Sequence, residues 1–223
     1  MRAKEEQLKL LSFWKSLSPT EQELVIKNTS IKKYDKNELL HTCGMACIGL
    51  IHVLSGSIRG YLLSEEGREV TLFIDGQGES CVLSASCIFS QITFETQLVA
   101  LTDCELMILE VNTLQQLVDQ NIYVRSFMYE TMTVHYSDTM WSMQQILFHK
   151  FDRRLAEFLL TEARREHSNE LHMTHEEIAR LISSAREVVA RMMKRFAQEG
   201  YVTMSRGTVK LKNIKALKVI AGE

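Results

Sequence analysis

Three successive patterns of apolar and polar positions divide the 223-residue chain. The N-terminal stretch MRAKEEQLKLLSFWKSL carries apolar side chains at helical spacing and predicts one amphipathic helix. Ser18, Pro19 and Glu21 then supply a capping hydroxyl, a proline at the first helical position and a glutamate three residues after the cap. A second helix therefore starts there and runs to about Asn28. From Ile31 to Leu109 the period shortens to β-rich runs broken at Ser55-Gly56, Glu66-Gly67 and Asp75-Gly76. Breaks about 8–12 residues apart are those of sandwiches and barrels, so residues 31–110 are predicted to form a small antiparallel barrel.

After Val111 the pattern is helical for more than thirty residues without glycine or proline. Leu117, Val124, Phe127, Thr131, Val134, Met140, Met143 and Leu147 recur at three- and four-residue steps. A helix of roughly 35 residues would be about 50 Å long, more than a small barrel needs. An identical stripe related by a twofold axis is the simplest cover for it, and two shorter helices packed within one chain are the alternative. Lys150-Phe151-Asp152 interrupts the stripe as a hinge. Beyond it FDRRLAEFLLTEARREH is an amphipathic helix with Leu155, Phe158, Leu159 and Ala163 on one side.

Thr174-His175-Glu176-Glu177 has the form of a capping box, and Ser184-Ala185-Arg186-Glu187 repeats it. Two capped helices with a turn between them make a helix-turn-helix. On the second helix Arg186, Glu187, Ala190, Arg191 and Lys194 share one face, while Val188, Val189, Met192, Met193 and Phe196 fill the other. Arginine forks match the O6/N7 edge of guanine, glutamate accepts from cytosine N4, and a small alanine lets a helix approach the floor of a major groove. Tyr201 to Lys212 then alternates about an Arg206-Gly207 turn and predicts a hairpin wing. Ser184, Thr174, His175, Lys194 and Arg206 are candidates for DNA contact, with Ser205 and Lys210 as further candidates for phosphate.

Charge supports this reading. Residues 150–223 carry 15 Lys/Arg against 10 Asp/Glu, and the preceding residues 11 against 18, so a basic C-terminal module sits on an acidic body. The N-terminus lacks the apolar core and cleavage site of an export signal, and no run approaches the roughly 18 apolar residues of a membrane span. A cytoplasmic location follows as an expectation. With five cysteines and a reducing compartment, no disulfide framework is expected.

These motifs resemble the CRP/FNR superfamily of bacterial regulators over nearly the whole chain. The most specific match is Thr174-His-Glu-Glu-Ile-Ala-Arg followed by Arg186-Glu-Val-Val-Ala-Arg191, which follows the family's R-E-x-V-x-R pattern. The resemblance implies an α+β protein: an N-terminal double-stranded β-helix or jelly-roll barrel of the cyclic-nucleotide-binding type (1–111), a long dimerisation helix (112–149) and a winged helix-turn-helix (150–223). It implies a homodimer on palindromic double-stranded DNA, with Arg186, Glu187 and Arg191 as base readers and RNA polymerase as a further partner. Ser183 stands where the family has a turn glycine, and Ala185 where cAMP receptors have a phosphate-contacting serine.

In cyclic-nucleotide binders of this superfamily a glutamate after glycine holds ribose and an Arg-Ser pair holds the cyclic phosphate. Here Gly78-Glu79-Ser80-Cys81 opens the stretch and Phe94-Glu95 falls about where Arg-Ser would, which disfavours cAMP. The first 42 residues lack cysteine, which disfavours an FNR-type iron–sulfur cluster. Neither Cys43-x3-Cys47 nor Cys81-x5-Cys87 has zinc-motif spacing, and no metal site is predicted. Glu79, Cys81, Ser84, Ser86 and Cys87 are the candidate effector pocket, for an unidentified neutral ligand, a redox signal, or haem held with help from His41, His52 or a methionine. His135 and His149 are assigned structural roles. A constitutive DNA-binding protein with a structural barrel is the alternative. A cupin-like metalloenzyme is disfavoured because the chain has no H-x-H.

Overall fold

The computed structural model describes residues 3, 5–42, 45–88, with Ser86 by its backbone alone, and 96–223. Two compact units emerge, one of residues 1–62 and 72–140 and the other of residues 63–71 and 141–223.

In the first unit the N-terminal segment does not form one helix. Helix α1 covers only Glu5–Leu8, and turns lead to a short 3-10 helix at Trp14–Ser16. The reason lies in the side chains to be buried. Leu8, Leu11, Phe13, Trp14 and Leu17 are each at most 6% exposed, and on a single helix they would spread over more than half of the circumference. Only a turning chain can bury all of them in one core. Helix α2 (Pro19–Asn28) begins at the expected capping box, where the Ser18 N–H donates to Glu21 Oε2 at 2.7 Å and the Glu21 N–H donates to Ser18 Oγ at 3.4 Å.

Among the described residues eight strands follow, of which residues 63–71 at the β4–β5 connection count with the second unit: β1 (Thr29–Tyr34), β2 (Leu39–His41), β3 (Gly49–Ser55), β4 (Ile58–Leu63), β5 (Glu69–Asp75), β6 (Ser80–Cys81), β7 (Gln97–Ala100) and β8 (Cys104–Glu110). They form two four-stranded sheets, ordered β1-β8-β3-β6 and β2-β7-β4-β5, the jelly-roll arrangement expected. Strand β8 shows why its run CELMILE lacks clean alternation. Leu106 and Ile108 enter the core between the sheets, while Met107 and Leu109 enter a second core beneath the helices. A strand covered on both faces reads as continuously apolar.

The long helix is broken. Helix α3 (Val111–Gln120) ends at Asn121, and α4 (Ile122–Phe148) has 27 residues, about 40 Å at 1.5 Å per residue. Neither glycine nor proline causes the break. Asn121 is extended (φ −119°, ψ 115°), and its Oδ1 accepts from the Tyr123 N–H at 3.0 Å, so it ends one helix and starts the next. Leu117 lies buried on α3, whereas Val124 and Met128 anchor α4 to the unit. Ile122, Tyr123, Tyr129, Val134, Tyr136 and Met140 are exposed on α4.

The second unit contains α5 (Phe151–Arg165), β9 (Glu170–Leu171), α6 (His175–Leu181), α7 (Arg186–Gln198), the hairpin of β10 (Val202–Ser205) and β11 (Thr208–Leu211), and α8 (Ile214–Ala221). Its core joins Leu155 and Leu159 of α5 to Ile178, Val189, Met193, Phe196, Val209 and Leu217. Helix α8 is not anticipated from the apolar pattern, although Asn213 Oδ1 caps it by accepting from the Ala216 N–H and Gly222 ends it at φ 86°. Among the described residues no helix is long and apolar enough to cross a membrane.

Candidate DNA-binding interface

The geometry of the second unit starts with α6. The Thr174 N–H donates to Glu177 Oε2 at 2.8 Å and the Glu177 N–H donates to Thr174 Oγ1 at 3.2 Å, so the predicted box forms. The second predicted box does not. Ser183 is left-handed at φ 53°, its N–H returns to the Arg180 carbonyl, and the Ser184 N–H returns to the Ala179 carbonyl at 2.9 Å. These are the paired bonds of a Schellman motif, with Ser183 in the position usually held by glycine. Ser184 is thus committed to ending α6, and the cap of α7 falls to Ala185, which has no side-chain cap bond.

Ser183 is held from two directions. Its Oγ accepts from the Thr71 N–H at 3.0 Å, and the Thr71 hydroxyl donates to the Arg180 carbonyl at 2.9 Å, Thr71 belonging to the same unit. The Arg154 guanidinium donates to the Ile182 carbonyl. Burial holds the Arg154 pKa below its ordinary value, with the Arg68 charge adding to the effect. Neither Thr71 nor Arg154 carries a local sequence signal for this role.

The faces of α7 separate as its pattern predicts. Val189, Met193 and Phe196 are buried, whereas Arg186, Glu187, Arg191 and Lys194 are exposed, with half-buried Ala190 between them. Among the described residues Arg186, Arg191, Lys194 and Arg206 form no intrachain ion pair; by contrast Arg195 bonds Glu199 at 2.9 Å and Lys210 bonds Glu170 at 3.1 Å. Unpaired exposed guanidinium groups on one helix face are disposed to accept phosphate or base-edge partners. Arg206 lies in the wing turn beside Gly207 (φ 70°). Thr174 is exposed, but its hydroxyl is engaged within the capping box, and His175 is half-buried in the first turn of α6.

The candidate effector residues of the first unit do not gather into one polar pocket. Glu79 is exposed, and its Oε2 accepts from the Gly76 N–H at 2.6 Å, which closes the β5–β6 turn. The Ser84 hydroxyl is buried and bonds to the Gly49 and Cys81 carbonyls. Cys87 is joined to Cys47 by a disulfide with Cα atoms 6.4 Å apart, where no disulfide framework is expected from the sequence. Cys81 and Cys104 are free and buried. Burial, followed by the Asp75 charge, raises the Cys81 thiol well above its ordinary range, and burial pushes Cys104 up to about 11, so neither is a reactive thiolate. His52 bonds Ser80 Oγ at 2.8 Å, on the face of the sheet opposite to Cys81, so these two do not form an axial pair for haem. The Ser86 side chain, Cys43 and Phe94-Glu95 lie outside the described residues.

An antiparallel jelly roll, an exposed helix and a basic winged helix-turn-helix define a regulator that binds DNA. Residues 153–220 match the Crp-like helix-turn-helix domain and residues 31–121 the cyclic nucleotide-binding domain. A CRP/FNR-family protein from Eubacterium rectale is 36% identical, covers 96% of this chain and 100% of its own, and superposes with a TM-score of 0.92. The cyclic AMP receptor protein of Thermus thermophilus is 24% identical over 92% of this chain and 94% of its own. The c-di-GMP-responsive regulator CLP of Xanthomonas campestris shares the fold, with a TM-score of 0.74 at 21% identity over 87% of this chain and 99% of its own.

The chain belongs to the CRP/FNR family and is a DNA-binding transcription regulator of that type. The family consists of transcription regulators rather than enzymes. Of the candidate effector residues, Glu79 closes a turn, the Ser84 hydroxyl is bonded to carbonyls and Cys87 is in a disulfide.

Proposed function

We propose that the protein is a cytoplasmic homodimer that reads a palindromic operator with α7, Arg186, Glu187 and Arg191 reaching base edges while Lys194, Arg206 and residues near Thr174, His175 and Ser184 hold the phosphate backbone. The observation that carries this reading is the single exposed face of α7, whose Arg186, Arg191 and Lys194 have no carboxylate partner among the described residues and are set around a small alanine. The exposed apolar side chains of α4 suit burial against a second copy, because the stripe of Ile122, Tyr129, Tyr136 and Met140 is costly to leave in water. A dimer would present two α7 helices to successive major grooves about 34 Å apart. The barrel carries the control, through an effector that is not cAMP, and RNA polymerase is the partner once DNA is bound.

Genome-wide mapping of bound sites, followed by binding of the recovered duplex, tests the reading. A palindrome with half-sites one helical turn apart, bound by a dimer and no longer bound on combining Arg186→Glu with Arg191→Glu, is expected. A monomer in solution, or binding indifferent to both charge reversals, overturns it.

A further inference from the structure

Three metal-ligating side chains meet inside the first unit, and the DNA-binding reading uses none of them. Asp75 ends β5, Cys81 ends β6 and His135 lies near the middle of α4, and they are 5%, 0% and 2% exposed. One ligand atom from each lies within 4.8 Å of the others. Asp75 Oδ1 and His135 Nε2 are in direct contact at 3.0 Å. Asp75 Oδ2 and His135 Nδ1, both buried, have no hydrogen-bond partner among the described residues. A folded interior rarely leaves two such atoms together unsatisfied. The Phe73 ring stacks on the imidazole with centroids 4.3 Å apart, and Phe73 is itself fixed over Gly60, where a Cβ would lie 2.1 Å from the ring.

We propose that Asp75, Cys81 and His135 form a binding site for a divalent transition-metal ion of the zinc type, which ties strands β5 and β6 to α4. A thiolate, an imidazole and a carboxylate form a borderline donor set that suits Zn2+, Co2+ or Fe2+ and does not suit Mg2+ or Ca2+, which take oxygen. A bound metal deprotonates its thiol ligand, so one carboxylate and one thiolate balance the double charge of the ion and the buried site becomes neutral. Tetrahedral bonds of about 2.0–2.3 Å place ligand atoms roughly 3.3–3.6 Å apart, so the three groups close on an ion by side-chain shifts of about 1 Å. Three protein ligands leave a fourth position for water or for Asp138. That residue lies three further along α4, and its carboxyl interacts electrostatically with both His135 and Asp75. The site is independent of how α7 meets DNA.

Titration of Co2+ into the full chain, reduced with a phosphine and stripped by chelator, tests this without DNA. Binding of one Co2+ per chain is expected, with a near-ultraviolet thiolate-to-cobalt band, four-coordinate visible bands and bleaching by Zn2+. Cys81→Ser should abolish the thiolate band, His135→Gln should weaken binding by about tenfold or more, and Cys47→Ser and Cys87→Ser should leave the band unchanged. Absence of the band in the native chain, its survival in Cys81→Ser, or its disappearance with Cys47→Ser or Cys87→Ser overturns the proposal. Circular dichroism checks that each variant is folded. Should Cys81→Ser not fold, an unchanged Co2+ affinity in folded His135→Gln overturns it equally.

Discussion

Thr174 and Glu177 satisfy each other's backbone: the threonine N–H donates to the glutamate carboxylate at 2.8 Å, and the glutamate N–H donates to the threonine hydroxyl at 3.2 Å. This reciprocal pair fixes where α6 begins and so where the turn toward α7 starts. Removing a capping hydroxyl typically costs ~1 kcal/mol. Thr174→Ala should therefore lower the stability of the winged unit by about that amount in urea unfolding, and Thr174→Ser should recover most of it. Because the same hydroxyl is a candidate phosphate ligand, DNA affinity measured well below the melting temperature separates the two roles. An affinity that falls equally in Thr174→Ala and Glu177→Ala marks the box as the cause.

The two kinds of DNA recognition proposed differ in salt dependence. Arg206→Ala in the wing should weaken binding about equally across operator sequences and reduce the salt slope by about 1, because one fewer phosphate is neutralised. Arg186→Ala should instead cost ~1–3 kcal/mol and relax preference at one base pair of each half-site. Fluorescence anisotropy on operator duplexes with single substitutions, at several salt concentrations, distinguishes them. A uniform weakening across sequences with Arg186→Ala would remove that residue from base reading.

Much of the architecture is legible in the sequence because its signals are local. Both true capping boxes, at Ser18 and at Thr174, lie within four residues, and the two faces of α7 follow from a single helical period. Local signals also mislead where two of them compete. Ser184 has the sequence of a cap but is used one step earlier, in the Schellman closure of α6. The break at Asn121 escapes a search for glycine and proline because an asparagine side chain can cap a helix as its backbone leaves another. The Asp75, Cys81 and His135 cluster has no local signature at all, since 60 residues and a sheet crossing separate the aspartate from the histidine. The candidate effector residues mislead for a related reason. Cys81 and Cys87 are near neighbours in sequence, whereas the fold turns one into the core and joins the other to Cys47.

Ser183 stands at φ 53°, where a side chain costs ~1 kcal/mol or more relative to glycine, yet its hydroxyl accepts the buried Thr71 N–H. Ser183→Ala keeps the backbone cost and removes that hydrogen bond, for a destabilisation of ~0.5–1.5 kcal/mol. Ser183→Gly gives up the same hydrogen bond but relieves the backbone. Glycine should therefore be the less destabilising replacement by about 1 kcal/mol in denaturant unfolding. The reverse order would show that the left-handed conformation is not maintained in solution.

Glu162 of α5 is 6% exposed, and its Oε2 lacks a hydrogen bond with good geometry although the Arg165 guanidinium lies beside it. Burial raises its pKa above the ordinary value of 4.5, the nearby Arg165 charge opposes the rise, and Glu166 adds to it. The direction fixes the sign of the pH dependence. The folded state holds this proton more tightly than the unfolded chain, so stability from the group is fullest below about pH 4.5 and declines as pH rises through the folded pKa. Glu162→Gln cannot ionise, so the variant should be the more stable at pH 7, with the advantage shrinking as pH falls toward 4.5. Exposed substitutions usually move stability by less than ~0.5 kcal/mol. A gain above that at pH 7, absent at pH 4.5 in paired denaturant titrations, would identify ionisation of the buried carboxyl as its source. A lower stability of the variant at pH 7 would show instead that the Arg165 pairing outweighs burial.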